Sequence, residues 1–392
     1  MRILIVGGGI GGVAAARTLL DAGHEVTVLE RSPELRTLGG AITLWHAGTT
    51  ILDDLGVDLS GAGGRLTSVE ARTASGRPVM TMDLRRLDAT FGSHALVIPR
   101  ATLLRALADG LPDEVFQFNA RFTGLEELAD GIRVHTEDGG VHDADLLIGA
   151  DGVGSAVRAA VFGPEPKPLT GVASWQGLIP TPVDLGGTAL MMMGAKGYLG
   201  LSPAGDGLAQ WFCDTPWPAP DGDPLAMLAE RYGDWAPPVP ELFAALSHVD
   251  VRAYPHHRRR IPRFWGRGRT ILLGDSAHAM PPSLALGANQ ALEDVWVLRR
   301  ALDASPATAL REYSVRRRGR ASFAAAVATR SMAVRGPQAF FQREAMMRGA
   351  GTLPSGVFER ALIGMKRRIS NRLGDVAVRH PGPAAITVPP TE

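Results

Sequence analysis

Three glycines near the N-terminus have the spacing of a loop that binds a dinucleotide pyrophosphate. Gly7, Gly9 and Gly12 follow the apolar run 3–6 and precede Ala-rich sequence that favours a helix. A helix N-terminus offers free backbone N–H groups and the positive end of its dipole to phosphate. Glu30 ends a second β-branched run about twenty residues further on, where a carboxylate can accept hydrogen bonds from a ribose diol. The opening segment therefore predicts a dinucleotide site.

Two aspartates also follow predicted strands directly. Asp151 comes after the apolar run 144–150, and Asp275 comes after the apolar run 270–273. In open α/β sheets, ligands bind at the carboxyl ends of parallel strands, so both carboxylates are expected at one site. A carboxylate there can hold the hydroxyl groups of a polyol. FAD has a ribityl chain of this kind and NAD does not, so the pair favours FAD.

The order of the predicted elements indicates an α/β fold. A Rossmann-like FAD-binding domain, with a βαβ unit that contains the glycine motif, is interrupted by an antiparallel-sheet substrate domain and followed by C-terminal helices. The proline-rich segment 163–168 is a connector between the two parts. The predicted boundaries are 1–75, 96–168 and 265–335 for the FAD-binding domain, 76–95 and 169–264 for the substrate domain, and 336–392 for a C-terminal helical extension.

Composition excludes several classes of protein. The formal net charge of +1 gives no overall attraction for nucleic acid, and one cysteine, Cys213, allows neither an internal disulfide nor a multi-thiolate metal site, so no metal is expected. No apolar stretch approaches the ~20 residues of a membrane span. The glycine motif begins so close to Met1 that no signal peptide fits before it. We expect a cytoplasmic protein, monomeric or homodimeric.

In three motifs the chain resembles the single-component FAD-dependent monooxygenases typified by para-hydroxybenzoate hydroxylase. These are the glycine loop, the segment 149–158 and the segment 274–294, and the likeness covers about residues 1–330. The resemblance implies FAD as cofactor, NADPH or NADH as a transient co-substrate, and O2. It also implies a flavin C4a-hydroperoxide that hydroxylates an aromatic or polycyclic small molecule. The implied cofactor-binding residues are Gly7, Gly9, Gly12, Glu30, Arg31, Thr43, Arg100, Asp151, Gly274, Asp275, Ala285, Leu286, Gly287, Ala288 and Asn289.

The chain departs from the family pattern at two places. The family loop commonly reads Pro-x-x-Gly-Gln-Gly, whereas residues 282–287 place Ala285 and Leu286 at the middle positions. We expect this change to alter the pocket ceiling or the mobility of the flavin. His46 and Ala47 stand where relatives often have Pro-Asn, so substrate contacts do not transfer simply.

Substrate and catalytic residues are weaker predictions. His46 is the candidate base for a phenolic substrate, with a structural role as its alternative, and Pro282 is a candidate pocket wall. The predicted pocket lining is Trp45, Met192, Tyr198, Trp211, Cys213 and Leu284. Ordinary core packing explains methionine and aromatic residues on strands equally well. His256, within the basic tract, is expected to be solvated.

Other functions on the same scaffold remain open. An epoxidase or a Baeyer–Villiger oxygenase would use the same motifs. A flavin-dependent halogenase would need a second tryptophan where Gly177 stands, between Trp175 and Pro180. A NAD-dependent dehydrogenase would use only the first motif, and a non-catalytic FAD-binding protein is the remaining alternative.

Overall fold

The computed structural model describes residues 1–36, 39–332, 344–345, 348–349 and 355–374. Its strands are β1 (Arg2–Val6), β2 (Glu25–Leu29), β3 (Ala41–Leu44), β4 (Gly64–Leu66), β5 (Ser68–Thr73), β6 (Pro78–Asp83), β7 (Ala95–Pro99), β8 (Phe116–Gln117), β9 (Phe122–Glu127), β10 (Ile132–Thr136), β11 (Val141–Ala144), β12 (Leu146–Gly149), β13 (Leu169–Pro180), β14 (Thr188–Gly194), β15 (Gly197–Gly205), β16 (Leu208–Pro216), β17 (Ala253–His257), β18 (Gly266–Arg267) and β19 (Thr270–Leu272). Its α-helices are α1 (Ile10–Asp21), α2 (His46–Asp54), α3 (Arg85–Phe91), α4 (Arg100–Ala108), α5 (Ala156–Phe162), α6 (Pro224–Tyr232), α7 (Val239–Leu246), α8 (Asp275–His278), α9 (Gly287–Ala304), α10 (Ala309–Met332), α11 (Ser355–Ile369) and α12 (Asn371–Gly374). None of these helices is long and apolar enough to cross a membrane.

A six-stranded sheet forms the predicted Rossmann-like core. Its order is β18-β19-β12-β1-β2-β8, and every pair is parallel except the edge pair β18-β19. The central strands are almost wholly apolar, with Ile5 opposite Ile148 and Ile148 opposite Ile271, and all three side chains are buried. Helices α1 and α9 pack together over this core. Burial on both faces explains why these strands carry continuous apolar runs.

The loops after β1 and β12 are in contact at the carboxyl edge of this sheet. A Cβ atom on Gly7, whose φ is +109°, would lie 2.6 Å from the carbonyl oxygen of Ala150, just before Asp151. A Cβ atom on Gly12 would collide with the carbonyl oxygen of Gly7. Glycine at both positions therefore lets the first helix, the first strand and the second loop approach closely.

A second, seven-stranded sheet has the order β17-β13-β16-β15-β14-β5-β6 and is antiparallel except between β14 and β5. Helices α6 and α7 cover one side of it, the back face, which carries Trp175, Met192, Trp211 and Cys213. The opposite side, the front face, carries Tyr198, Gln210, Phe212 and Asp214, since side chains alternate along a strand. Gln210 accepts a hydrogen bond from the backbone N–H of Ala41 in β3. The front face is therefore turned towards β3.

A small three-stranded sheet, β3-β7-β4, joins the two parts. Strand β5, which we assigned to the FAD-binding domain, pairs with β14 and with β6 in the large sheet. The large sheet thus begins after Leu66, because β5 and β6 form one hairpin that a boundary at residue 75 would divide. Most of the predicted extension 336–392 lies outside the described residues, but α11 packs against α10, and α12 against α2 and α9.

Candidate active site

The glycine loop has the geometry of an anion-binding helix start. Gly9 precedes the first residue of α1 with extended backbone, and no side chain caps that helix. Glu30 is buried, and its carboxylate accepts hydrogen bonds from the N–H groups of Gly8 at 2.7 Å and Ser32 at 2.9 Å. A carboxylate has further acceptor capacity beyond these two bonds, which leaves Glu30 able to bind a ribose diol. Arg31, beside it, is exposed.

Arg100 places a cation next to this loop. The position that a Cβ atom of Gly9 would take lies 3.9 Å from Nη2 of Arg100. The side chain is half-buried, and burial lowers the pKa of its guanidinium. Within the described ranges it has no hydrogen-bond acceptor or ion-pair partner. A cation held in this way beside a helix N-terminus fits a pyrophosphate.

Asp275 faces the same cleft from the segment 273–286 between β19 and α9, which we call the cofactor loop. Burial raises the pKa of its carboxyl group, yet its side chain is exposed. It therefore lies deep in the protein but borders an open cleft. Its Oδ1 is 3.9 Å from the Cβ position of Gly287, the first residue of α9, and it acts electrostatically on Arg100.

Asp151 is used partly to cap a helix. Its Oδ2 accepts hydrogen bonds from the N–H groups of Ala156 and Val157, whereas Oδ1 is buried and has no partner among the described residues. Burial raises the pKa of this carboxyl group. The sequence placed Asp151 correctly at the strand end, but it did not reveal the capping role.

A buried ion network supports the cofactor loop. Asp294 accepts a hydrogen bond from the N–H of Gly274 at 2.8 Å, contacts Nε2 of His278 at 2.7 Å, and pairs with Nε of Arg317 at 2.6 Å. The side chains of all three ionisable residues are fully buried. Burial alone would raise the pKa of Asp294, but His278 and Arg317 outweigh it and lower this pKa. His278 is thus a structural residue of the cofactor loop.

The loop before α9 is fixed to β3 by one amide side chain. Asn289 donates to the carbonyl oxygens of Thr43 at 2.9 Å and Ala285 at 2.8 Å, and its Oδ1 accepts from the N–H of Trp45. Ala285 has a φ of +51°, a left-handed conformation that glycine adopts more readily, so the glycine typical of the family would remove strain here. Gly287 and Ala288 are half-buried and Leu286 is buried. The side-chain amide of Asn289 is therefore engaged in holding this loop against β3.

These residues fit FAD part by part. The Gly9 and Arg100 pair suits the pyrophosphate, Glu30 the adenosine ribose, and Asp275 the ribityl hydroxyl groups. The first turn of α9 lies beside Asp275 and presents the positive end of an 18-residue helix to the cleft. The Arg100 cation, which has no partner among the residues that the structure describes, and the exposed Asp275 carboxylate are the observations that indicate a ligand.

The structure separates the residues predicted to line the substrate pocket. Tyr198 lies half-buried on the front face, and Trp45 and Leu284 line a cavity beside the cofactor loop. Met192, Trp211 and Cys213 were misplaced: they are buried on the back face against α6 and α7. Pro282 is exposed at the start of a 3-10 turn.

The structure also brings together residues that sequence reasoning missed. Ser174 on the front face donates to Asp214 and lies 2.8 Å from Nε2 of His256. Burial raises the pKa of Asp214 to about 6. His256 is buried rather than solvated as predicted, because β17 pairs with β13 and carries it into the sheet. The front face thus carries a buried carboxyl group that Ser174 binds and whose pKa is raised towards neutrality.

His46 is not placed to accept a proton from a substrate. Its side chain is fully buried, and Nε2 lies 3.0 Å from Oδ1 of Asp88, which also binds Arg65. Phe91 packs against the imidazole ring. Because no part of the side chain reaches an open cavity, the structural alternative explains this histidine.

Comparison with known proteins agrees with this geometry. A family model described as the FAD binding domain matches residues 1–328. The chain is 35% identical over 327 residues to a 3-amino-4-hydroxybenzoate 2-monooxygenase of Streptomyces cremeus, covering 80% of this chain and 82% of that protein. It is 34% identical over 331 residues to an FAD-dependent urate hydroxylase of Klebsiella pneumoniae, covering 81% and 86%. The crystal structure of Klebsiella pneumoniae HpxO complexed with FAD and uric acid superposes with a TM-score of 0.85 at 30% identity, covering 94% and 96%.

The chain belongs to this FAD binding domain family, in the group of single-component aromatic hydroxylases. It is an FAD-dependent monooxygenase that hydroxylates an aromatic small molecule.

His46 gives a prediction about pH. Burial, reinforced by Lys366, lowers the pKa of His46 from 6.5 to about 4, so the unfolded chain binds a proton that the folded protein excludes. The free energy of unfolding should therefore fall as the pH drops from 6.5 to 4, by up to about 1.4 kcal/mol for each pH unit. H46Q, which retains a donor for Asp88, should show a shallower fall in urea unfolding at several pH values. The surface variant H135Q should behave like the parent protein.

The same variant tests the base hypothesis. H46Q should keep substrate-stimulated turnover at neutral pH, since the imidazole does not reach the cleft. A loss of about a hundredfold or more, with normal folding, would instead assign His46 to general base catalysis.

Proposed function

We propose that the aromatic substrate binds between β3 and the front face of the large sheet, and that its ring carries a hydroxyl or amino group. The observation that carries this proposal is the contact of Gln210 with Ala41, which brings the front face against β3. Phe212 and Tyr198 lie on the same face of the sheet. The relatives named above act on an aminohydroxybenzoate and on urate, both electron-rich rings. We favour ring hydroxylation over epoxidation or Baeyer–Villiger insertion for that reason.

FAD, when bound, supplies the chemistry that accepts hydride and activates dioxygen. The chain's own residues hold and shield it. Arg100 neutralises the pyrophosphate, Asp275 accepts hydrogen bonds from ribityl hydroxyl groups, and the N-terminus of α9 favours negative charge on the neighbouring ring edge. Leu284 and Leu286 provide apolar surface that excludes water from the reacting atoms.

We assign NAD(P)H binding to an arginine-lined cavity whose wall includes Pro281. This cavity has a volume of about 490 Å³ and is lined by Arg258, Arg330 and Met280, among others. Arg258 and Arg330 are exposed, and neither side chain has an acidic partner in the described part of the chain. Two guanidinium groups without described acidic partners, beside the loop that precedes α9, suit the phosphates of a nicotinamide dinucleotide.

We place the enzyme in the cytoplasm, where NAD(P)H is available and a single buried cysteine needs no oxidising environment. We propose a monomer or a homodimer. The nearly neutral net charge favours a small-molecule substrate over nucleic acid.

The direct test is a screen of aromatic compounds with the FAD-loaded protein. A substrate should stimulate NADPH or NADH oxidation, and mass spectrometry should show a product heavier by one oxygen atom that derives from O2. NMR of the product should show a new ring hydroxyl group. A protein that binds FAD but oxidises no aromatic compound in a broad panel would contradict the proposal, and a ring-expanded or epoxide product would correct the reaction type.

The arginine cavity gives a separate prediction. R258Q and R330Q should each raise the KM for NAD(P)H about tenfold, because each removes a charge-assisted hydrogen bond to phosphate. The affinity for FAD should not change. R267Q, at the exposed sheet edge β18, is the matched control and should leave KM unaltered. An unchanged KM in both cavity variants would place nicotinamide binding elsewhere.

A further inference from the structure

A small cavity lies between Trp45 and the helix α11. Its volume is about 150 Å³, and apolar side chains form most of its wall, including Trp45, Met82, Leu284, Leu286, Leu362 and Met365. A dry apolar cavity of roughly 150 Å³ is large enough for one benzene ring. The cavity therefore has the size of a single aromatic ring.

Lys366 is the one charged residue in the described wall of this cavity. Only 7% of the residue is exposed, and its Nζ lies 4.3 Å from the centre of the Trp45 ring. Burial lowers the pKa of this ammonium group to about 8, so it is mostly charged at neutral pH. A buried cation in apolar surroundings is costly unless an anion compensates it.

No anion within the described ranges compensates Lys366. The acidic group that acts on it electrostatically is Asp88, but that carboxylate is already bound to His46 at 3.0 Å and to Arg65 at 2.9 Å. No hydrogen bond or ion pair joins Lys366 to any described residue. The stacking on Trp45 holds the cation in place but does not neutralise it.

The cavity borders the proposed cofactor and substrate region. Trp45 directly follows β3, and Leu284 and Leu286 belong to the loop that Asn289 ties to that strand. Met82 is on the front face of the large sheet: it pairs with Val69, and Val69 pairs with Ala189, whose side chain points to the same side as Met191. The cavity thus lies on the side of the sheet that faces β3.

We propose that this cavity binds an aromatic ring bearing an anionic substituent, a carboxylate or a phenolate, and that Lys366 is the counter-ion of that substituent. This assignment rests on the proposed function, because it names the substrate class of the same region. The ring packs among the apolar side chains and the edge charge meets the ammonium group. Neutral rings of the same shape fit the space but leave Lys366 unpaired.

Calorimetric titration of the FAD-loaded protein tests the assignment with two matched pairs of ligands. Benzoate and benzamide have the same shape and differ in charge, and 4-nitrophenolate and 4-nitroaniline do the same for the phenolate arm. The anionic member of at least one pair should bind about tenfold more tightly or better, the range of a charge-assisted hydrogen bond. Which pair shows the preference identifies the substituent.

Three variants connect the preference to Lys366. K366M should abolish it by weakening the anionic ligand while leaving the neutral one unchanged, and K366R should retain it. K196M, at a surface ion pair with Asp234, is the control and should bind as the parent protein does. Equal affinity for charged and neutral ligands in the parent protein would overturn the assignment, even if K366M did not fold. A preference that survives in folded K366M would also overturn it.

The outcomes separate this assignment from the proposed function. Anion binding through Lys366 without oxygenated product would contradict the function and leave the ligand site standing. Hydroxylation of neutral aromatic compounds without any anion preference would support the function and reject the role of Lys366.

Discussion

Three neighbouring parallel strands of the six-stranded sheet, β1, β12 and β19, end at one edge, and two side chains of opposite charge lie there without partners among the described residues. Arg100 lies beside the N-terminus of α1, and Asp275 faces it from the cofactor loop. In a folded protein such groups are normally paired or fully solvated, since an unpaired charge at depth is unfavourable. The rest of the structure keeps these two groups in position, and a molecule with both phosphate and hydroxyl groups compensates both.

The buried network around Asp294 explains how distant segments contribute to this edge. Asp294 holds Gly274 on one side and Arg317 on the other, and Arg317 also binds Asn371 at 3.0 Å. The cofactor loop is thus connected through α9 and α10 to the short helix α12. Breaking one partner of a buried ion network typically costs about 3–5 kcal/mol, so these helices are part of the cofactor site and not an appendage. Gln290 of α9 also donates to the carbonyl oxygen of Ile369 at the end of α11, the helix that carries Lys366.

The features that local sequence determines could be predicted. The glycine loop, Glu30 and the two aspartates at strand ends depend on residues within about thirty positions, the length of a βαβ unit. Their convergence follows from a general rule for parallel sheets. The pocket residues could not be predicted in this way, because neighbours in one strand point to opposite faces. Phe212 faces the cleft while Trp211 and Cys213 face α6 and α7, and only the register of β16 decides between them.

Contacts between residues far apart in the sequence could not be predicted either. His46 resembled a base because it follows the strand beside the cofactor, but Asp88, forty-two positions away, binds and encloses it. Gln210 contacts Ala41 across 169 positions. Ala285, by contrast, was recognisable from the family pattern as a substituted glycine, and its positive φ shows why glycine is common there.

The measurement that tests the central claim most directly is the binding of FAD to the purified protein. The account predicts a yellow protein with flavin absorption bands, and calorimetric titration of the flavin-free form should give one FAD per chain. In R100Q the affinity for FAD should be lower but not that for free riboflavin, which lacks the pyrophosphate. A colourless protein that does not take up FAD after gentle removal and resupply would contradict the account.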